Sequence, residues 1–536
     1  MSASREKKQR QNDPNQGLSQ KQRQERQEAE AAKRRGVVYA VIGAVVAVLV
    51  IALLVWHSGI IQRSRTAVSI AGRTYNVNDV AYYYYTAMSE EYQMTYGTTF
   101  DPNADLRTQY VDAEETISYH DQFLDDAVDS LVTVAALENA AAEAGYTLTA
   151  EDRSGVEESM EAMKATAQQY GYSNNFSGFL KANFGQYMTL GDYRTCLERA
   201  ALINGYSIQV RGEQEVTDEE KQSYYEENAE NLDSYDFRVV YVDGAAPSGT
   251  DSQGNTVEPT EEETAAALRA AKAKADRMEA AVERASDREA EFIRLAPDYV
   301  AEDEREDCRE DPDYTLSKNR KGSDMPMSRY PYVGWLMAGG HEKGDVHVVE
   351  GSSGYYVVLF LDRYRDETPT VDIRHILIRA ALDQADDPST TDVNESTIPS
   401  QASLDAARAE AQSLLDQWNA GDKTAESFGA LAQDHSADAG SASNGGLYLG
   451  VAGGQMFQAF NDWIMDPARQ SGETTLIQNP QSGQQGWHVV YFQDYDSPLW
   501  EITASDTLTS EKMRTWLDGI REGLEAVRDS GIQYVG

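Results

Sequence analysis

A repeated pattern in the second half of the 536-residue chain constrains its fold more than any other feature. The apolar run at 236–242 (DFRVVYV) returns at 372–378 (DIRHILI), and each run is long enough for a buried strand. The same spacing separates four further pairs of identical residues: Phe292 and Phe428, Leu295 and Leu431, Ala296 and Ala432, and Asp298 and Asp434. A fixed spacing between identical residues indicates that one folding unit occurs twice.

Two later segments extend the repeat towards the end of each unit. The segment 335–337 (WLM) is answered by 463–465 (WIM), and 354–360 (GYYVVLF) is answered by 486–492 (GWHVVYF). The second pair again has the apolar character of buried strands. Each unit therefore begins and ends with strand sequence.

Between these strands each copy has helical and irregular sequence. Ala-rich helices are predicted at about 260–287 and 402–419, each followed by a short helix, a glycine-rich or irregular middle and a closing strand pair. Such units bury one sheet under helices. We predict an α+β multidomain protein with two β/α domains, at 233–367 and 368–497.

An apolar run near the start of the chain predicts a membrane anchor. Residues 37–56 are 20 residues without a charge, and a helix of this length spans a bilayer core of about 30 Å. Residues 1–36 contain ten Lys or Arg, so this tail is expected in the cytoplasm, with residues 57–536 outside the cell membrane. A cleaved signal peptide is the alternative, but its apolar region would be shorter and followed by small residues.

Composition excludes one class of function and restricts another. With 47 basic and 89 acidic side chains the formal charge is −42, and so acidic a surface repels the phosphates of nucleic acids. The two cysteines, Cys196 and Cys308, allow at most one disulfide and no cysteine-based metal site. His341 and His347, with Glu342 and Asp345 between them, could hold a metal ion, but they lie in turn-and-strand sequence, and we predict neither a metal nor a cofactor.

Two histidines of the second copy lie within strand sequence. His375 precedes Ile376 and Leu377, and His488 precedes two valines. A single such histidine is more often a core residue whose ring nitrogens are hydrogen-bonded, and a second histidine is a suitable partner for it. When Asp438 and the glycine-rich stretch 444–450 (NGGLYLG) are added to the two histidines, the residues match the pattern of a known family.

Together these residues resemble the parvulin family of peptidyl-prolyl cis/trans isomerases. The similarity covers roughly 125 residues and is carried, in order, by 374–377 (RHIL), the segment 428–434, Ser436 and Asp438, the pairs Gly445-Gly446 and Leu449-Gly450, 454–456 (GQM) with Phe460, and 486–488 (GWH). The chain departs from the family at Leu447 and Tyr448, where an acidic residue usually follows the glycine pair.

The resemblance implies a role for each site residue. His375 and His488 would be the paired histidines of the site floor, and Asp438 would take the polar position beside them. Leu449, Met456 and Phe460 would line the proline pocket. Rotation about an X-Pro bond requires no nucleophile, metal or cofactor, only a site that favours the twisted amide over the planar one.

The first copy differs from the second at both histidine positions. Val239 stands where the second copy has His375, and Tyr356 stands where it has His488. We therefore predict that the first copy kept the parvulin-like scaffold and lost the activity.

Residues 57–232 have helix signals and lack catalytic motifs. A short hairpin is predicted around Ala71-Gly72, a helix capped by Asn78 follows it, and further caps are predicted at Thr149 and Thr217. A tyrosine-rich segment, 82–96, predicts either the core of this region or a surface for unfolded chains.

The layout around the repeats resembles the chaperone region of exported foldases of the SurA, PrsA and PpiD type. In these foldases a C-terminal tail joins that region, and here residues 498–536 contain an amphipathic helix at about 508–529. The resemblance implies a membrane-anchored extracytoplasmic foldase that acts on unfolded or newly exported proteins. A holdase whose parvulin-like domains only bind clients is the alternative, and a structural envelope protein is a third.

Overall fold

The computed structural model describes residues 60–536, apart from 115, 251–252, 254, 303, 310–312, 386–396 and 482. The predicted membrane anchor at 37–56 and the basic tail before it lie outside the described residues. Among the residues that are described, no helix combines the length and the apolar character needed to cross a bilayer. The predicted mixture of helices and sheets in several domains is confirmed.

The first described region is mostly helical. It consists of a β-hairpin and seven helices: α1 Ile60–Arg63, β1 Thr66–Ile70, β2 Arg73–Asn76, α2 Val77–Met94, α3 Tyr119–Glu143, α4 Ala150–Gln169, α5 Phe176–Phe184, α6 Leu190–Glu213 and α7 Asp218–Leu232.

Local sequence signals account for most of the boundaries in this region. The predicted hairpin is confirmed: Ala71 and Gly72 both have positive φ, 48° and 82°, as a tight two-residue turn requires. The caps predicted at Thr149 and Thr217 are also confirmed, since each side chain accepts a hydrogen bond from the third backbone amide of its helix.

The predicted cap of α2 is wrong by two residues. The side chain of Asn76, not that of Asn78, accepts hydrogen bonds from the first free amides of the helix. The Asn78 side chain is buried and its amide donates to Asp192 Oδ2 at 2.7 Å. The Asn78 side chain, which the local sequence assigned to the cap, instead links α2 to the distant helix α6.

The tyrosine-rich segment 82–96 divides between the two predicted roles. Tyr84 is buried and its ring lies 6.0 Å from that of Phe123 in the core between α2 and α3. Met94 and Tyr96, at the end of the segment, are 77% and 92% exposed. Most of the tyrosines of the segment thus pack in cores, and Met94 and Tyr96 at its end are open to solvent.

The first copy of the repeat follows α7. Its elements are β3 Ser234–Asp243, β4 Gly249–Thr250, β5 Thr256–Val257, α8 Glu261–Arg284, α9 Arg288–Leu295, β6 Leu316–Lys321, α10 Val333–Met337, β7 Val346–Glu350 and β8 Gly354–Tyr364. The four longer strands form an antiparallel sheet in the order β6-β3-β8-β7.

The second copy has the same order of elements. They are β9 Pro369–Arg379, β10 Leu382–Ala385, β11 Thr397–Pro399, α11 Gln401–Ala420, α12 Ala425–His435, β12 Leu447–Val451, α13 Gln458–Ile464, β13 Thr474–Asn479 and β14 Gly486–Pro498. The sheet order β12-β9-β14-β13 repeats that of the first copy.

The register of the two central strands is also the same in both copies. His375 lies opposite Val490 in the second copy, as Val239 lies opposite Val358 in the first. His488 lies opposite Leu377, and its counterpart Tyr356 lies opposite Tyr241. The two sheets therefore place equivalent residues at equivalent points.

The two faces of the second sheet are covered by different helices. In the second copy, Ile376 and Val489 face α11 and α12 in one core. Ile373 and Val490 face the opposite side, where α13 lies. Successive side chains of a strand point to opposite faces, so His375 shares the face of Ile373. Both predicted histidines lie on the α13 face.

The C-terminal segment returns to the helical region. Helix α14 spans Leu499–Arg521 and strand β15 spans Ala526–Arg528, and β15 adds to the edge of the β1–β2 hairpin with Val68 opposite Arg528. The predicted helix at about 508–529 is wrong at both ends, because the helix begins directly after the last strand of the second copy and Gly523, with φ 73°, ends it.

Candidate active site

The two predicted histidines meet between the central strands of the second sheet. His375 on β9 and His488 on β14 are each 6% exposed. Their Nδ1 atoms are 2.9 Å apart, and the rings stack with centroids separated by 5.0 Å. The sheet register brings these two residues together although 113 positions separate them in the sequence.

The predicted acidic residue lies at the other side of the His375 ring. His375 Nε2 is 2.9 Å from Asp438 Oδ2 and 3.1 Å from the Ser441 hydroxyl. The same carboxylate oxygen accepts hydrogen bonds from the hydroxyls of Ser441 and Tyr448, the second at 3.1 Å. Asp438 is thus bound by three side chains at once.

The loop that carries Asp438 is fixed to the edge of β9. It follows the end of α12, where the Ser436 hydroxyl accepts a hydrogen bond from the Leu377 amide at 3.1 Å. The Ala437 amide in turn donates to the Leu377 carbonyl at 2.8 Å. These two bonds attach the loop to Leu377, which is two residues after His375 on the same strand, and Asp438 follows directly in the loop.

The glycine pair after this loop allows β12 to approach the site. Gly445 and Gly446 have φ of 74° and 69°, and the Gly446 carbonyl accepts a hydrogen bond from the His375 amide at 2.8 Å. A Cβ atom on Gly446 would lie 2.1 Å from the His375 carbonyl oxygen, which no side chain tolerates. The pair therefore sets the distance between β12 and β9.

The His488 end of the site closes on an amide. Asn479, the last residue of β13, is 1% exposed, and its Nδ2 atom is 3.1 Å from His488 Nε2. A continuous hydrogen-bonded row therefore runs from Asn479 through both imidazoles to Asp438.

Charge within this row is concentrated on Asp438. The hydrogen bond from His375 lowers the pKa of the Asp438 carboxyl well below its usual range, although burial acts in the opposite direction. Burial, and then the electrostatic influence of the neighbouring His375 ring, lower the pKa of His488 to about 3. Burial and the nearby Asp438 charge raise the pKa of Tyr448. At neutral pH the row therefore has a carboxylate at one end and a neutral His488 on the far side of the His375 ring.

Aromatic and apolar side chains cover the two imidazoles. The Phe460 ring is 2% exposed, and its centroid lies 5.3 Å from that of His488 and 6.2 Å from that of His375. Met456 is half-buried in the same apolar cluster, and the Phe457 ring is 5.9 Å from that of His488. These residues place apolar surface directly beside the polar row.

Leu449 stands apart from the other predicted pocket residues. It lies in β12 where the register with β9 shifts, between Tyr448 and Val451, and the cluster around Phe460 does not include it. The structure brings together five of the predicted site residues: His375, Asp438, His488, Met456 and Phe460. The assignment of Leu449 to the proline pocket, which follows from the family resemblance, stays a prediction.

The equivalent face of the first copy is filled by aromatic rings. Tyr356, in the place of His488, lies 4.8 Å from Tyr241 and 5.1 Å from Tyr332, measured between ring centroids. Tyr332 aligns with Phe460 in the repeat. The ring contact of Phe460 with His488 therefore has a counterpart in that of Tyr332 with Tyr356, but the first copy has no imidazole there. Val239, in the place of His375, packs in the same cluster.

Sequence reasoning missed three groups that complete the site. The hydroxyls of Ser441 and Tyr448 and the amide of Asn479 close the two ends of the row. The sequence did single out Tyr448, because it departs from the family pattern next to the glycine pair. Asn479 lies outside the quoted motifs, and only the pairing of β13 with β14 places it near His488.

The weak metal candidate of the first copy has another explanation. His341 and His347 both pack against Trp335, with ring centroids 4.3 and 5.4 Å from that of the indole. His341 Nε2 is 2.6 Å from the Trp335 carbonyl oxygen. Within the part of the chain that the structure describes, no group of three or more His, Cys, Asp or Glu side chains is placed to hold a metal ion.

Comparison with known proteins identifies the domain that contains the site. Residues 375–494 match the family model of the rotamase, or PPIC-type PPIase, domain. The chain is also similar to the Chaperone SurA of Nitrosococcus oceani, with 29% identity over 217 residues that cover 38% of this chain and 43% of that protein. The chain thus spans less than half the length of the curated relative it matches. The predicted parvulin-type domain in the second copy is confirmed.

Proposed function

We propose that the chain is a membrane-anchored extracytoplasmic foldase that catalyses cis/trans isomerisation of X-Pro bonds. The activity is assigned to residues 368–497, with chaperone function in 57–232 and 498–536. One observation carries the proposal: within the PPIC-type domain, His375, His488 and Asp438 form a hydrogen-bonded row beneath an apolar cluster.

The apolar cluster supports binding of the proline ring. Phe460 lies over both imidazoles and Met456 lies in the same cluster, so an apolar ring placed there would leave water. Burial of apolar surface contributes about 25 cal/mol per Å². The position of the cluster next to the polar row would hold the bond before proline close to Asp438 and Tyr448.

The polar row supports preference for the twisted amide. The barrier to rotation is about 18–20 kcal/mol because the planar amide loses its resonance. A site lowers this barrier only through contacts that are stronger in the twisted state than in the planar one. We assign the fixed charge of Asp438, held by His375, Ser441 and Tyr448, to that role, with no transfer of a proton to the substrate.

Both the location and the clients belong to the proposal. The uncharged run 37–56 after a basic tail supports a single anchor with residues 57–536 outside the membrane. The similarity to a protein named Chaperone SurA supports unfolded or newly exported proteins as clients. The acidic surface, with a formal charge of −42, disfavours nucleic acid as a partner.

Exchange measurements on an X-Pro peptide test the activity. The full chain is expected to accelerate exchange between the cis and trans forms, and His375→Ala and His488→Ala are each expected to reduce that acceleration at least about tenfold, a loss of about 1.4 kcal/mol in transition-state binding. Val239→Ala and Tyr356→Phe, at the same sheet positions of the first copy, are the matched controls and should leave it unchanged. Unchanged exchange in both histidine variants would refute the site.

A holdase without catalysis is the second candidate. The first copy favours it, because Val239 and Tyr356 replace both imidazoles there while the sheet and its register are kept. Protection of an unfolded client against aggregation separates the two functions. If the wild-type chain protects the client and shows no isomerase activity, the holdase is the correct function.

A further inference from the structure

The direction of the hydrogen bonds in the polar row is decided by the side chain of Asn479. One of its terminal atoms lies 2.9 Å from the backbone amide of Gln481. A backbone N–H only donates, so the atom that it contacts must be the oxygen, Oδ1. The NH₂ group of Asn479 then faces His488 Nε2, at 3.1 Å.

This orientation fixes the proton on each ring in turn. An NH₂ group only donates, so His488 Nε2 must accept, and in a neutral imidazole the proton is then on Nδ1. His488 Nδ1 donates to His375 Nδ1, 2.9 Å away, so the proton of a neutral His375 is on Nε2. That nitrogen donates to Asp438 Oδ2.

The opposite end of the row requires the same direction. Asp438, when ionised, only accepts, and Ser441 and Tyr448 also donate to its Oδ2 atom. His375 must therefore present an N–H to this carboxylate, which agrees with the direction set by Asn479 from the other end. A neutral pair of imidazoles satisfies every ring nitrogen in this arrangement.

We propose that Asn479 is a positioning residue that sets the tautomers of both imidazoles and so keeps Asp438 as an ionised acceptor facing the pocket. The proposal rests on the proposed isomerase function of the same site. All four ring nitrogens are used within the row, so neither imidazole has a proton or a lone pair free for the substrate. Asp438, whose side chain is 22% exposed, is the most exposed polar group of the row.

An asparagine sets this direction more strictly than a hydroxyl would. A serine or threonine hydroxyl both donates and accepts, and would allow either tautomer of His488. In Asn479 the oxygen is already occupied by the Gln481 amide, so only the donor remains for the ring. Replacing that donor by an acceptor should reverse the row.

Asn479→Asp makes this replacement with almost no change in shape. One carboxylate oxygen keeps the bond from the Gln481 amide, and the other requires an N–H from His488 Nε2. His375 then receives no proton from His488 and must donate at both of its nitrogens, to His488 and to Asp438. The variant is therefore expected to hold one extra proton on the imidazole pair at neutral pH.

Nitrogen-15 NMR of the full chain, labelled only at histidine, measures these protons. His375→Gln and His488→Gln assign the two signals among the seven histidines. The wild-type chain is expected to show a protonated Nδ1 in His488 and a protonated Nε2 in His375. In Asn479→Asp the His488 proton should move to Nε2, and His375 should become doubly protonated.

Exchange of an X-Pro peptide provides the second readout. Asn479→Asp is expected to lower kcat/KM about tenfold, with most of the change in kcat, since the variant alters the row and leaves the apolar cluster intact. Asn174→Asp adds the same charge at an exposed position of the helical region and should behave as wild type. Thermal unfolding of each variant shows whether the domain remains folded.

The outcomes separate this proposal from the proposed function. A wild-type His488 protonated on Nε2, or an unchanged histidine spectrum in a folded Asn479→Asp variant, would overturn the role of Asn479. The expected tautomers in a chain without isomerase activity would support the role of Asn479 and refute the isomerase. If Asn479→Asp does not fold, the wild-type spectrum alone decides the tautomers.

Discussion

The two copies of the repeat have one scaffold and two different sites. Their sheets have the same strand order and the same register, and Tyr332 and Phe460 make the same ring contact with the residue on the last strand. That residue is Tyr356 in the first copy and His488 in the second. The first face is an aromatic cluster, and the second is a polar row under an aromatic cover.

This difference indicates that the fold is independent of the polar row. The scaffold is maintained by apolar side chains that alternate along the central strands, which both copies retain. The imidazoles and Asp438 can be absent, as in the first copy, without loss of the sheet. A buried polar row that the fold does not need is best explained by chemistry at the second site.

Removing the ring shared by both sites should have the largest effect. Phe460→Ala and Tyr332→Ala each empty a buried aromatic position, and each is expected to destabilise its own domain by about 3–5 kcal/mol. Only Phe460→Ala should also reduce isomerase activity. Denaturant unfolding and X-Pro exchange check this, and an equal loss of activity in Tyr332→Ala would contradict a division of function between the copies.

Removing the arginine that precedes Val239 in the first copy and His375 in the second should have the next largest effect. Arg238 is buried and pairs with Asp313 at 2.6 Å, whereas the equivalent Arg374 donates to the Gly445 carbonyl at 3.0 Å. Arg238→Ala leaves a buried carboxylate without its partner and should cost about 3–5 kcal/mol.

Arg374→Ala removes the donors to the carbonyl groups of Asn444 and Gly445 and is expected to cost about 1–3 kcal/mol. Unfolding of the two variants by urea compares these values. A larger loss in Arg374→Ala would show that the second copy depends more on this position than the hydrogen bonds indicate.

Acid should destabilise the second copy more than the first. The pKa of His488 is about 3 in the folded chain, against about 6.5 in an unfolded one, so between these values the unfolded state binds a proton that the folded state does not. Stability therefore falls as the pH falls through this window, by up to about 1.4 kcal/mol per pH unit. The lowered pKa of Asp438 adds to the loss below about pH 4.

Hydrogen exchange of β14 and β8 at pH 7 and pH 4.5, corrected for intrinsic rates, measures this difference. Tyr356 does not titrate in this range, because a tyrosine pKa is ordinarily about 10 and burial raises that of Tyr356 further. Replacing His488 by Phe should remove most of the extra sensitivity of β14. Equal loss of protection in the two strands would show that His488 is not the cause.

Transferring the imidazoles to the first copy should have the smallest effect. Val239→His with Tyr356→His, made in a His375→Ala background, is expected to change X-Pro exchange by less than about twofold. The aromatic cluster around these positions offers no row like that between Asn479 and Asp438, so the new rings would lack their fixed protons. Recovery of the exchange rate would show that two imidazoles on this sheet are sufficient.

The two histidines could be predicted as neighbours because both lie in strands, whereas Asp438, Met456 and Phe460 followed only from the resemblance to the parvulin family. Two-residue periodicity puts His375 on the face of Ile373, and the repeat aligns it with Val239. Side chains at the ends of elements were harder to predict. The bonds of Tyr448 and Asn479 depend on how β12 and β13 approach the central strands, which no local pattern records.

Strand periodicity and the capping of several helices could be read from the sequence, because each depends on residues within one turn or one strand. The repeat could be read because identical residues recur at a fixed spacing. How distant segments meet could not be read in this way. Ser69 donates to Asp529 across 460 positions as β15 pairs with β1, and Asn479 reaches His488 through the pairing of two strands. Such contacts are fixed by the packing of whole elements, so they appear only once the chain is folded.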